Sequence, residues 1–301
     1  MTTIQLIAIP YDSGHRGERM GAGPEYFLSQ SVDEILRRQG WTINVETVEA
    51  QHLFRAEIGT AFELCRSLAQ RVRRAQEQGA FPLILSGNCN SCLGTLSGID
   101  SSTVGIIWFD AHGDFNTPET TTEGFLDGMG LATATGHCWT TLAMTIPGFA
   151  AIPDDQVLLV GVRQLDPAEQ TLLEQSQVMH VRGEQVRAFG LQESLARPLR
   201  ELRSRVRRVY VHIDLDVLDP QVGQANSYAE PNGLSLPEME QAITLIARQF
   251  VIAASALTAY DPTCDPEGKI FRAGTQLMEH MIRQIESSQG VDHLAEKREK
   301  P

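Results

Sequence analysis

Short aliphatic and β-branched runs recur along the chain, each about the length of one β-strand: IQLIAI (4–9), INVETV (43–48), PLILS (82–86), VGIIWF (104–109), QVLLVGV, VMHV, VYVHI and the stretch around IAASAL. They predict about eight strands. Several are apolar almost throughout instead of alternating, the pattern of parallel strands covered on both faces. Between them lie segments of helical periodicity, clearest over 60–78. There Phe62, Cys65, Leu68, Ala69, Val72 and Ala75 form one apolar stripe and Gly79 supplies a stop. Further helices are expected over 25–39, 166–175, 191–203, 236–249 and 270–286. This alternation implies right-handed βαβ crossovers, hence an α/β fold: a single three-layer domain with a mainly parallel sheet. No internal repeat or composition break marks a second domain. Residues 1–288 are read as that domain and 289–301, ending AEKREKP, as a charged tail.

The 301 residues are 42% hydrophobic, enough for a well-buried core. No apolar run is long enough to span a bilayer, and MTTIQLIAIP lacks the parts of a secretory signal, so a cytoplasmic address is expected. A formal charge of -13 argues against nucleic-acid or anionic-membrane partners, which require clustered Lys and Arg, and suits a cationic small molecule. The cysteines, Cys65, Cys89, Cys92, Cys138 and Cys264, are odd in number and scattered, which favours free thiols over a disulfide framework.

Three segments carry the chemistry: SGNCNS after PLIL, DAHGDFN after VGIIWF, and DLDVLDP after VYVHI. Each lies at the end of a predicted strand, where open parallel sheets assemble ligand sites. Side chains two apart on an extended backbone point the same way. Asp110, His112 and Asp114 can therefore converge, as can Asp214 and Asp216. So many carboxylates together would repel and lose ionisation unless cations neutralised them. Carboxylates with one imidazole suit a hard or borderline dication such as Mn, with Zn, Fe, Co or Ni as alternatives. An Asp-x-Asp pair alone is more often a turn or cap, but two clusters at two strand ends favour metal. The remaining histidines are assigned to structure or surface. Among them His212, on the strand leading to Asp214, is the one to watch.

Asp-Ala-His-x-Asp, with Asp-x-Asp-x-x-Asp-Pro about a hundred residues later, resembles the two signatures of the ureohydrolase family, which includes arginase, agmatinase and formiminoglutamase. GHRGERMGAGPE, PLILSGNCNSCLGT, NTPETTTEGFLDGMGLA and GVRQLDPAE keep the family's order and spacing, so the resemblance covers most of the chain. It implies one metal at Cys89, Asp110, Asp114 and Asp214 and another at His112, Asp110, Asp214 and Asp216, with Asp110 and Asp214 bridging. Two dications about 3.5 to 4 Å apart hold a hydroxide poised to attack a planar amidine or guanidine carbon, a hydrolase reaction on C–N bonds of linear amidines. Asp114 and Asp127 take the catalytic positions. Asn116, Thr121, Glu123, Asp166 and Glu169 take the substrate positions. The family analogy also implies a homo-oligomer, trimeric or hexameric.

The sequence departs from the family at three places. Where Gly-Gly-Asp-His-Ser is usual, the chain reads Ser86-Gly87-Asn88-Cys89-Asn90, so a thiol replaces a ligand imidazole and makes the site more tolerant of Zn or Fe. Glu123 stands where a serine helps bind an α-carboxylate, and Asp127 where a histidine shuttles protons. Ala259 or Tyr260 falls where a glutamate usually contacts the guanidinium. The leading expectation is a hydrolase for a non-standard substrate such as N-hydroxyarginine, releasing urea or hydroxyurea. The alternatives are an agmatinase- or formiminoglutamase-like enzyme, or a degenerate member that binds metal or ligand without turnover. A Cys89-x-x-Cys92 redox pair is a further reading.

Overall fold

Eight parallel strands form one sheet in this computed structural model, which describes residues 2–52 and 54–298. In chain order they are β1 (Thr3–Ile9), β2 (Thr42–Thr47), β3 (Phe81–Ser86), β4 (Val104–Phe109), β5 (Val157–Val160), β6 (Met179–Val181), β7 (Arg208–Asp214) and β8 (Val251–Thr258). They lie side by side as β2-β1-β3-β8-β7-β4-β5-β6, every pair parallel. All eight expected runs are strands. The near-continuous apolar runs find their reason in two cores. Ile107, Phe109, Val211 and Ile213 face one side with the helices Leu191–Arg205 and Leu236–Ala247, while Ile106, Trp108 and Tyr210 face the other with Glu57–Glu77. Successive residues thus alternate faces, and both faces are covered by helices.

Two helical expectations change. The single helix expected over 25–39 is two, Gly23–Ser29 and Val32–Arg38, parted at Ser31, whose φ of 59° cannot continue a right-handed helix. Gly183–Phe189 is an additional helix, separated from the next by Gly190 at φ 78°. The helix expected over 270–286 runs as Lys269–Arg298 and takes in most of the expected tail, whose residues 299–301 lie outside those described. No helix among the described residues is long and apolar enough to cross a membrane.

The strand order places the site. β3 and β4 are consecutive in sequence, yet β8 and β7 lie between them. The chain crosses over at this point, and the carboxyl ends of β3, β8, β7 and β4 surround the resulting crevice.

Candidate metal centre and substrate cavity

Each of the four central strands delivers a polar residue to that crevice. β3 leads through Gly87 and Asn88 to Cys89, β8 ends at Thr258 with Ala259 next, β7 ends at Asp214, and Asp110 follows β4. Cys89 Sγ lies 3.0 Å from Asp214 Oδ2. His112 Nδ1 lies 3.3 Å from both Asp110 Oδ1 and Asp216 Oδ2. Two sets of ligand atoms therefore gather within 4.8 Å: Cys89, Asp110 and Asp214, and Asp110, His112 and Asp216. Asp110 belongs to both. Asp114 joins neither tight set, yet it lines the same cavity, and its buried Oδ2 has no hydrogen-bond partner.

The convergence has a different local cause from the extended pairing expected. Asp214 caps a short 3-10 turn, Leu215–Val217, its Oδ1 accepting the Asp216 amide at 2.9 Å. That turn folds Asp216 back beside its neighbour. Asp110 likewise accepts the His112 amide at 2.7 Å, and Asp114 adopts a left-handed φ of 45°. Neither loop is extended. The Trp108 indole N–H donates to Asp110 Oδ2 at 2.9 Å, and Asn226 Nδ2 donates to Asp216 Oδ2 at 3.3 Å and to the Ala259 carbonyl at 2.9 Å.

The electrostatics ask for cations. Burial first, then the charge of Asp216, raises the Asp110 carboxyl; Asp214 and Asp114 are pushed up further by burial and neighbouring carboxylates. Asp216 is the exception. Burial opposes its ionisation, but the adjacent His112 imidazolium outweighs this and draws it down to about 2. Burial and then Asp214 hold the Cys89 thiol well above its ordinary range. A thiol, an imidazole and clustered carboxylates, with an unpartnered oxygen on Asp114, suit divalent cations. The donor set fits the group that the resemblance implies.

A cavity of about 250 Å³ opens onto these residues and brings in Asn116, Thr121, Glu123, Asp127, Asp166 and Glu169. All the substrate positions expected from sequence therefore meet in one place. Several are already engaged. Glu169 accepts the Phe115 amide at 2.9 Å and the Asp166 amide at 3.1 Å, and Asn116 Nδ2 donates to Asp166 Oδ2 at 3.2 Å. Asp127 accepts from Asn88 Nδ2 at 2.8 Å and from the Asn90 amide at 3.0 Å, bracing the loop that carries Cys89. Burial raises both the Asp127 and the Glu169 carboxyls to about 7. Of the two positions left open at the end of β8, Ala259 lines the cavity, whereas Tyr260 is buried and donates to Asp265. Cys92 donates to the Gly130 carbonyl, away from Cys89's partners, and every described cysteine is free.

Sequence reasoning missed Trp108, Asn226, Tyr228, Glu230 and Thr258. Trp108 was within reach, because it stands two residues before Asp110 at the end of an apolar strand. Asn226, Tyr228 and Glu230 sit in a loop without periodicity.

A parallel sheet with acid, imidazole and thiol donors gathered at its switch point defines by class an α/β protein with a candidate metal centre. The arginase family model matches residues 2–283, and the chain belongs to that family, whose members are binuclear-metal hydrolases acting on C–N bonds in linear amidines. It is 28% identical over 291 residues to the arginase of Bacillus caldovelox, covering 92% of this chain and 97% of that one. The crystal structure of Bacillus subtilis arginase superposes with a TM-score of 0.84 at 27% identity, covering 93% of this chain and 98% of the other. Formimidoylglutamase from Bacillus subtilis, at 18% identity and a TM-score of 0.76, covers 95% of this chain and 88% of its own and shares the fold.

Proposed function

We propose that this protein is a two-metal amidinohydrolase whose substrate is a small guanidino or amidino compound with a second cationic group. One observation carries the substrate choice. Glu123, Asp127, Asp166 and Glu230 line the cavity together with the metal-centre acids, and no Lys or Arg lines it among the described residues. Arg163, the nearby cation, spends its donors on the carbonyls of Gly161, Asp216 and Glu230. Away from the metal centre a free carboxylate would meet those four acids and no described Lys or Arg, whereas an ammonium would find acceptors. The Tyr228 and Phe125 rings, stacked at 5.8 Å, add faces suited to a cation.

Cys89, Asp110, Asp114 and Asp214 would hold one ion, and Asp110, His112, Asp214 and Asp216 the other. Ions held by these residues would supply Lewis-acid chemistry and a water-derived nucleophile at neutral pH. Trp108 and Asn226 fix the carboxylates that would bind them. Asp127, buried beside the centre with a carboxyl raised to about 7, is placed to hold or pass a proton near neutrality. Glu123, Asp166 and Glu230 orient the far end of the substrate.

Ala259 favours a second reading. Ala259 brings no carboxylate of its own to the lining, so a weakly basic head group such as the N-hydroxyguanidine of N-hydroxyarginine loses least there. Its α-carboxylate, however, has no cation to meet. A cytoplasmic location, a homo-oligomeric assembly and Mn as the preferred ion complete the proposal.

The test supplies Mn, Zn, Fe, Co or Ni to the purified protein and measures urea, hydroxyurea or ammonia from guanidino-amines, hydroxyguanidines, formimino compounds and arginine. Fastest turnover of a guanidino-amine supports the proposal, and Glu230→Gln should then raise its KM while changing kcat little. Turnover of N-hydroxyarginine alone selects the second reading. No hydrolysis across the panel, with fewer than two ions bound per chain, favours a protein that binds without turnover.

A further inference from the structure

Behind the metal centre lies a hydrogen-bonded line that the reaction above does not use. Tyr210 Oη and His212 Nδ1 are 2.8 Å apart, His212 Nε2 and Thr258 Oγ1 are 3.2 Å apart, and Thr258 Oγ1 is 3.2 Å from Cys89 Sγ. All four side chains are buried. The sheet builds the line: Tyr210 and His212 stand two apart on one face of β7, Ala256 of β8 pairs with His212, and Thr258 pairs with Asp214. On the other side Trp108, in register with His212 on β4, stacks on the imidazole at 3.6 Å and 11° while donating to Asp110. The ring is clamped between the supports of two proposed metal ligands.

Resting on the reading of Cys89 as a metal ligand, we propose that Thr258, oriented by His212, donates a hydrogen bond to the Cys89 sulfur and sets its position and donor strength toward a metal ion. His212 is a positioning residue in this scheme, acting through Thr258.

Counting protons gives the line its direction. A neutral imidazole has one N–H, so it donates at one nitrogen and accepts at the other. The described hydrogen bonds of His212 go to two hydroxyls and to no carboxylate. With Tyr210 donating to Nδ1, Nε2–H donates to Thr258 Oγ1, and the threonine proton has two acceptors, the Cys89 sulfur at 3.2 Å and the Ile213 carbonyl at 3.4 Å, of which the sulfur is the nearer. The opposite direction uses that proton on His212 and leaves the sulfur with only the Asp214 carboxylate, 3.0 Å away, as its partner. The Cys89 thiol spends its own proton on that carboxylate, so it is the sulfur lone pairs that face Thr258. The direction aimed at Cys89 gives those lone pairs a donor, and the opposite direction leaves them without one. A neighbour of this kind holds a ligand's geometry and modulates its basicity.

Cobalt(II) serves as the probe. The loaded native protein should show a sulfur-to-cobalt charge-transfer band, and Cys89→Ser should abolish it. Thr258→Val keeps shape and burial but removes the donor. Sulfur lone pairs relieved of that hydrogen bond rise in energy, so the band should move to longer wavelength, with the dissociation constant for cobalt rising on the order of tenfold. Thr258→Ser, which keeps the hydroxyl and serves as the variant of least disturbance, should retain the native band and affinity. His212→Gln should shift the band as Thr258→Val does and add nothing in the double variant. A native protein without the sulfur band overturns the reading of Cys89 and this proposal with it. A native band left unmoved by Thr258→Val overturns this proposal alone, and additive shifts in the double variant overturn the role of His212.

Discussion

Cys89 stands 3.0 Å from Asp214 Oδ2, and burial together with that charge keeps its thiol protonated far above the usual range. An ion binding there must displace the thiol proton, so apparent affinity should rise with pH more steeply than at an all-imidazole and carboxylate site. Cys89→His should flatten that rise and strengthen the preference for Mn over Zn, which competition between the two ions would read directly. Metal-free protein should show the opposite trend in stability. The Asp127 and Glu169 carboxyls, raised to about 7 by burial, bind protons more tightly in the folded chain than in the unfolded one. Their contribution is complete below the ordinary carboxylate range and is lost as pH rises through about 7. Urea midpoints of the metal-free protein should fall over that interval, and Asp127→Asn should remove part of the fall. At this scale the sequence was legible wherever a motif named the residue: Asp110, His112, Asp214 and Asp216 do gather, though through short turns and not along an extended backbone. It was silent on Thr258 and Asn226, because their roles depend on neighbours brought in by the sheet register.

The loop between β3 and Cys89 is held by close approach. A Cβ on Gly87 would sit 2.2 Å from the Tyr11 carbonyl oxygen and 2.7 Å from Gly21 Cα, both backbone atoms. Gly87→Ala must therefore shift the loop, with a cost of about 1–3 kcal/mol in stability and loss of Cys89 from its place beside Asp214. Circular dichroism should report a retained fold and metal analysis a reduced content. A full native metal content in this variant would contradict the assignment. The strands were the most legible elements, because burial on both faces leaves an uninterrupted apolar run that few other structures produce. Helix breaks were less so. Ser31 parts two helices by its backbone conformation alone, with no Gly or Pro to mark the place. The convergence of Asp214 with Asp216 was foreseen on a wrong geometry, since the short turn that creates it is written only in a side-chain cap.

For the whole molecule, the proposed ions tie β3, β4 and β7 together, so their removal should destabilise the entire sheet and not a single loop. At free ion about 100-fold above its dissociation constant the linkage is worth about 2.7 kcal/mol. Chelation should lower the Tm accordingly, with one cooperative transition before and after. The doubly wound architecture was legible from alternation and the strand count. The order β3-β8-β7-β4 was not, because apolar strands of similar composition carry no label for their neighbours. That order has a consequence for the growing chain. β8 spans Val251–Thr258, yet it fills the middle of a sheet whose other seven strands have already been synthesised. Until it emerges, β3 and β7 have a gap of about 10 Å between them, twice the spacing of paired strands, and Cys89 has no wall against which to meet Asp214. Synthesis of β8 thus precedes completion of the ion-binding centre: a nascent chain halted before residue 251 should take up no tightly bound metal, and one extended past β8 should gain the capacity to load it.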